Sequence, residues 1–390
     1  MNFDEHVDRR GTHCSKWDMM EPLYGLSPDD SLPMWVADMD FRPPVAVQEA
    51  LERMLRHGIY GYFGDDRAYR DAICWWMANR HGWQLDPATI FTTHGLVNGT
   101  GLCVDTWTEP GDAVALMTPV YHAFARVVHA AGREARELPL VLEDGRYRMD
   151  FDGWDRHMTG REKMLILCSP HNPGGRVWTL EELRGVAEFA ARHNLVLVSD
   201  EIHQDLVFPG QRHIPMTIAA PEAAERLVMM TASTKTFNIA GAHVGNVIIA
   251  DEKLRNRFSR RHQALGISPN SFGMHMVTAA YSVEGTAWLD GLVRYLDGNR
   301  KAFDAGIASI PGLRSMPLEA TYLAWVDGSG AGLSGDEFVA RVEKGARIAT
   351  NHGQTFGMHG EGFLRFNFAC SRAMVDEAIA RLQVAFADLQ

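Results

Sequence analysis

A chain of 390 residues can bury a large core and favours two or three structural units, and its composition is that of an ordinary globular protein rich in Gly and Met. Its net charge of −11 argues against a nucleic-acid partner, because phosphate binding needs basic patches; the basic run Arg255–Arg261 reads as the outer face of a helix. The five cysteines (Cys14, Cys74, Cys103, Cys168, Cys370) form no CxxC pair, the opening MNFDEHVDRR has no apolar core, and no run could span a bilayer, so a reducing cytoplasmic setting and no membrane partner are expected.

Residues 1–47 lack periodicity and read as an N-terminal arm whose strand-like Met34–Ala37 packs elsewhere. From Pro44, VAVQEALERMLRHG predicts a helix stopped by Gly58; a glycine- and tyrosine-bearing loop, GIYGYFGD, follows, and AYRDAICWWMANRHG predicts a second helix closing at Gly82. A strand–helix alternation then begins. TIFTTHGLVNGTGLCVDTWTEPGD gives a strand, a Gly turn and a helix running to Pro110; AVALMTPVYHAFARVVHAAG gives another strand and helix. Met164–Cys168 is a further strand, and the helix after SPHNPGGRVW opens with Thr179 and Glu182 at capping-box spacing.

LVLVSD and LVMMT are continuous apolar runs that end abruptly in polar residues, as strands buried on both faces do. The pattern predicts an α/β fold with a mainly parallel central sheet and helices on both faces, over residues 48–284. Long helices and the strands TYLAWVD and GFLRFNF then make residues 285–390 a smaller α/β lobe, joined by the arm.

Ligands of open α/β sheets bind outside the carboxyl ends of the strands. Four such ends carry Tyr121, Asn172, Asp200 and Lys235. A lone polar residue after a strand is most often a solvated loop residue, but these four types fit one chemistry. Lysine offers an amine for a Schiff base, aspartate can hold a protonated ring nitrogen, asparagine can donate to a phenolate, and tyrosine can stack on the ring. Those are the requirements of pyridoxal 5'-phosphate.

A phosphate needs a helix N-terminus or a nest of N–H groups, which the turn at Gly95, Leu96 and Val97 can offer, with hydroxyls from Thr231 and Ser233. Arg365, inside an apolar strand and sharing a face with Asn367, is either an edge residue or a carboxylate clamp; an amino-acid substrate needs the clamp. Gly330–Gly335 matches G-x-G-x-x-G but lacks a βαβ unit, and His359-Gly-Glu361 lacks a PCxxC partner, so neither a dinucleotide nor a metal site is expected.

SPHNPGGRVW, SDEIHQDLVF, TASTKTFNIAG and GFLRFNFACSR resemble the fold-type I pyridoxal-phosphate enzymes of the aspartate aminotransferase superfamily. FDEHVDRRGTHCSKWD, LPMWVADMDFRPP and HGIYGYFG resemble its MalY/PatB branch, the cysteine-S-conjugate β-lyases of cystathionine β-lyase type. The resemblance implies Lys235 as the Schiff-base lysine, Asp200 as partner of the ring nitrogen, Asn172 as donor to the phenolic oxygen and Tyr121 as the stacking ring. It implies Gly95, Leu96, Val97, Thr231 and Ser233 around the phosphate, with Tyr62 reaching the phosphate of a neighbouring subunit, so that a homodimer shares its active sites. Arg365 would bind the substrate carboxylate, with Asn172, Trp35 and the backbone near Ala37 beside it.

Two positions depart from the transaminase pattern: His243 stands where an Arg usually contacts phosphate, and His203, a further cofactor contact, stands where a Tyr is usual. The expected reaction is release of a thiol, pyruvate and ammonia from a cysteine S-conjugate, the alternatives being an aminotransferase and a non-catalytic regulator that senses the cofactor. The distal pocket is expected from the arm, the Tyr60–Phe63 loop and the segment around Ile267–Phe272.

Overall fold

A computed structural model describes residues 1–268 and 270–389. At its centre is a seven-stranded sheet whose spatial order is Ile90–Thr93, Gly245–Ile248, Leu227–Thr231, Val196–Asp200, Glu162–Cys168, Ala113–Thr118 and Glu134–Pro139. All neighbours run parallel except Gly245–Ile248, which is antiparallel to both strands beside it. Successive side chains of the inner strands enter different cores. Ala115, Met117, Leu165, Leu167, Leu197 and Met229 belong to one apolar cluster, and Val114, Leu116, Met164, Ile166, Val198 and Met230 to the other. With no solvated face to mark, the strands read as unbroken apolar runs rather than as an alternation.

Helices cover both faces. Leu96–Trp107, Ala123–Ala130 and Glu252–Ala264 supply Leu102, Phe124 and Phe258 to one cluster. Arg67–His81 and Leu180–Arg192 supply Trp76, Met77, Leu183 and Phe189 to the other. The helix Val45–His57 ends at Gly58 and Arg67–His81 at Gly82, both glycines left-handed, where a side chain would be strained. The capping box forms as its spacing predicts: Thr179 Oγ1 accepts from Glu182 N–H at 3.2 Å, and Glu182 Oε2 accepts from Thr179 N–H at 2.8 Å. The helix expected to run to Pro110 stops at Trp107, with Thr108 extended (φ −128°, ψ 158°) and its hydroxyl bonded back to Val104 O. The residue before a proline disfavours helical backbone, so the helix ends ahead of Glu109.

A four-stranded antiparallel sheet, ordered Arg314–Ser315, Leu323–Asp327, Phe363–Asn367 and Asn351–His352, packs with the helices Val283–Ala308 and Arg372–Ala385. The arm joins this part of the chain, for Leu32–Pro33 pairs in parallel with Ile348–Ala349. Met34–Ala37 is not itself a strand. Met34 N–H donates to Ala349 O, Asn367 N–H donates to Met34 O, and the Asn367 amide donates to Val36 O and Asp38 O. Beside it lies a buried ion cluster in which Asp40 accepts from Lys16 at 2.7 Å, Arg9 at 2.8 Å and the Trp17 indole at 3.2 Å. No described helix is long and apolar enough to cross a membrane.

Candidate active site

The strands that carry the four expected residues are consecutive neighbours in the sheet. Asp200 ends its strand opposite Cys168; Asn172, Lys235 and Tyr121 follow theirs within a few residues, so all four meet beyond the same sheet edge. They line one cavity of about 160 Å³ together with Ala37, Gly95, Leu96, Val97, His203 and His243. Gly245 lets the helix start come this close, since a Cβ there would lie 2.9 Å from the Gly95 carbonyl carbon.

Asp200 and Lys235 in the cavity, and Arg365 bonded to its Asn172, are charged groups with few partners. Asp200 is 5 % exposed and accepts one hydrogen bond, from Ile202 N–H at 3.1 Å. Burial pushes its carboxyl up to about 7, against the pull of that bond and of Lys235. Lys235 Nζ donates to Ala37 O at 2.5 Å, and burial draws its amine down to about 8. Arg365 is 3 % exposed, lies over the Phe356 ring, and donates to Asn172 Oδ1, Trp35 O and Asn351 Oδ1, with no carboxylate bonded to it among the described residues. Burial lowers even this guanidinium, to about 10. A buried cation held only by neutral oxygens is costly on its own and well matched to an incoming carboxylate.

The rest of the cavity suits a phosphorylated aromatic ring. Gly95, at φ +84°, precedes the helix Leu96–Trp107, whose first N–H groups have no intrahelical acceptor. The hydroxyls of Thr231 and Ser233, which do not line the cavity but precede Lys235 in sequence, are buried without a partner, and so is His203 Nδ1 in the lining; burial keeps that imidazole neutral, with its pKa down at about 3. Tyr121 presents its ring from the next strand end. A buried acid, an amine, orphaned hydroxyls and a helix start fit pyridoxal 5'-phosphate at its nitrogen, aldehyde and phosphate ends respectively.

Several expected residues lie elsewhere. Trp35 meets the site through its carbonyl only, because its indole donates to Lys16 O and packs edge-on against Tyr24. Thr231 and Ser233 are not among the cavity's lining residues and lie just behind Lys235 in sequence. Tyr62 is fully exposed, in a surface hollow with Tyr60, Phe63 and His275. Tyr60 lies 5.4 Å from Phe272, and Pro269, within the expected distal segment, lies outside the described residues. Gly330–Gly335 forms a turn leading to the short helix Gly335–Ala340, and no metal-ligand cluster occurs among the described residues. The sequence did not point to Asn351 or Tyr322. Asn351 sits opposite Arg365 in the sheet, and the Tyr322 hydroxyl donates to Ala37 O at 3.0 Å. Only strand register could have revealed the first.

Residues 36–382 match the family described as Aminotransferase class I and II. The chain belongs to that family. It is 40% identical to cystathionine beta-lyase PatB of Bacillus subtilis over 99% of this chain and 100% of the relative. It is 32% identical to protein MalY of Escherichia coli, covering 98% of this chain and 97% of that one. The crystal structure of cystalysin from Treponema denticola, which contains a pyridoxal 5'-phosphate cofactor, superposes with a TM-score of 0.94 at 32% identity, over 100% of this chain and 99% of that one. The chain is thus a fold-type I enzyme of the MalY/PatB-like branch, and its cofactor is pyridoxal 5'-phosphate.

Proposed function

We propose that the protein is a carbon–sulfur β-lyase acting on S-substituted cysteines and releasing a thiol, pyruvate and ammonia. The observation that carries the reading is one cavity lined by a partly neutral amine at Lys235, a ring-nitrogen partner at Asp200 and Asn172, to which a buried Arg365 without an anion is hydrogen-bonded from outside the lining. Similarity to relatives named as cystathionine β-lyases supports the sulfur leaving group.

Arg365 takes the substrate α-carboxylate, exchanging neutral carbonyl acceptors for a charged one, and so fixes which face of Cα is presented. Lys235 removes the Cα proton; with a pKa near 8 its amine is neutral in a useful fraction of molecules at neutral pH. Pyridoxal phosphate, when bound, draws off the electron pair left at Cα. Asp200 would supply the negative charge that keeps the ring nitrogen protonated, and Tyr121 would be the side chain available to stack on the ring. Asn172 holds Arg365 and would donate to the ring's phenolic oxygen; His203, neutral and with an unpartnered Nδ1, lines the same cavity. Gly95, Leu96 and Val97 at the helix start, with the unpartnered hydroxyls of Thr231 and Ser233, would hold the phosphate. In a homodimer with shared sites, the exposed Tyr62 of one protomer completes the phosphate contacts of its partner. His243 leaves that end without the usual arginine.

Purified protein given a panel of S-substituted cysteines and no keto acid is expected to release pyruvate continuously. One equivalent of the substrate's own keto acid, sulfur substituent retained, with the cofactor left in its amine form and no continuing pyruvate release, would instead identify an aminotransferase, the reaction after which the matching family is described.

A further inference from the structure

A buried polar belt passes behind Asp200 and Lys235, and none of its side chains lines the cavity. It starts beside the lysine. Thr236, wholly buried, donates its hydroxyl to Asp205 Oδ2 at 2.8 Å. Asp205 Oδ1 accepts from the Trp76 indole at 3.0 Å and stands 2.8 Å from His81 Nε2. The His81 ring meets His213 edge to face at 5.9 Å, and His213 Nε2 lies 2.8 Å from Glu201 Oε2. Glu201 accepts in addition from Ser199 Oγ and Met216 N–H, each at 2.9 Å, and it directly follows Asp200. The belt therefore ends beside the two residues that would face the reacting end and the nitrogen of the cofactor ring.

We propose that Asp205 is a positioning residue for Lys235, acting through Thr236 without touching the amine. Lys235 sits in an irregular turn between the strand Leu227–Thr231 and the short helical turn Ala240–Ala242. Side chains on either side of the lysine tie this turn down. Asn238 exchanges hydrogen bonds with Met39 and also donates to Phe41 O, which fastens it to the arm. Thr236 fastens it to the large α/β unit through a charged acceptor, the stronger kind. Three donors converge on Asp205 and fix its carboxylate, so the Thr236 hydroxyl has one place to go. Cutting that bond removes the turn's charged polar tether beside the lysine and leaves Asn238 on the arm and the buried Phe237 ring, packed against Trp76 and Tyr281, to hold the backbone. A displacement of about 1 Å at a reacting group costs on the order of 10²-fold.

The inference rests on Lys235 as the cofactor-linked residue, not on which reaction follows, so its test reads the linkage. Thr236→Val keeps the shape and deletes the donor; Thr236→Ser keeps the donor. Holoenzyme is stripped of cofactor and reloaded with pyridoxal 5'-phosphate while visible absorbance is followed, and the absorbance of the loaded protein is then titrated with pH. Thr236→Val is expected to relink about tenfold or more slowly and to shift the pH midpoint, while still folding cooperatively at a modestly lowered melting temperature, with kcat reduced and KM nearly constant. Thr236→Ser is expected to restore both to within about twofold. Wild-type relinking and midpoint in Thr236→Val, or failure of the serine variant to rescue, overturns the proposal. Should the valine variant not fold, Asp205→Asn, similar in size but uncharged, is read the same way. Absence of any linkage at Lys235 in the wild-type chain would instead overturn the site itself.

Discussion

Asp40 and Asp200 are 8 % and 5 % exposed, and both lie close to lysines, yet their surroundings are opposite. Asp40 receives Lys16, Arg9 and Trp17; burial opposes its charge, but Lys16 and Arg9 outweigh burial and hold the carboxyl below its ordinary range. Asp200 has one backbone donor, and burial raises it to about 7. The same contrast separates Lys16, fully buried against a carboxylate, from Lys235, partly buried against a carbonyl. Ionic groups that serve the fold have their partners within the chain. Those that serve a ligand are left short of one, and the deficit marks where the ligand goes.

The largest effect that would break this contrast is expected from Lys235→Ala. Pyruvate release should fall on the order of 10³-fold or more, a loss typical of a removed general base, while melting stays near wild type. Asp40→Asn should do the reverse, costing about 3–5 kcal/mol of stability in denaturant titrations by stranding buried cations, with cofactor linkage intact in the folded fraction. Arg365→Leu, read in steady-state kinetics, is expected to lower kcat/KM about 10²-fold, chiefly through KM, without destabilising the chain, because its charge has no partner to lose.

A pH series on cofactor-free protein sharpens the comparison. A carboxyl raised in the folded state favours folding below its unfolded value and loses that advantage as pH climbs to about 7. Asp200→Asn should therefore be more stable than wild type at pH 7, by on the order of 1–3 kcal/mol, with the difference shrinking toward pH 4. Asp40, lowered, acts with the opposite sign: its contribution is present above the unfolded value and disappears as pH falls through the folded one. The smallest effect is Thr179→Ala, which should cost about 1 kcal/mol in thermal unfolding and leave turnover alone.

What the sequence made legible followed from this architecture. Strands buried on both faces announce themselves as apolar runs, and the polar residue ending each run stands where parallel strands deliver ligand contacts. Tyr121, Asn172, Asp200 and Lys235 were therefore readable one strand at a time. Contacts made by backbone or across distant segments were not. The resemblance puts Trp35 and the backbone near Ala37 beside Arg365, but nothing in LPMWVAD says that it is the Trp35 carbonyl that meets Arg365, its indole donating to Lys16 O, or that the Ala37 carbonyl meets Lys235. Asp205 and His81 are 124 positions apart, so their pairing emerges only once helix and sheet are packed. The antiparallel strand Gly245–Ile248 looks the same in sequence as its parallel neighbours, since its burial is the same.

The arm's two carbonyls bear on how much of the chain the site requires. A polypeptide beginning at residue 42 would retain the cavity's acid, its amine and the guanidinium, yet both cationic side chains would have lost an oxygen that steadies them. Shortening the amino end should thus impair chemistry performed some two hundred positions downstream, chiefly by removing backbone oxygens, with the charge of Asp38 lost beside them.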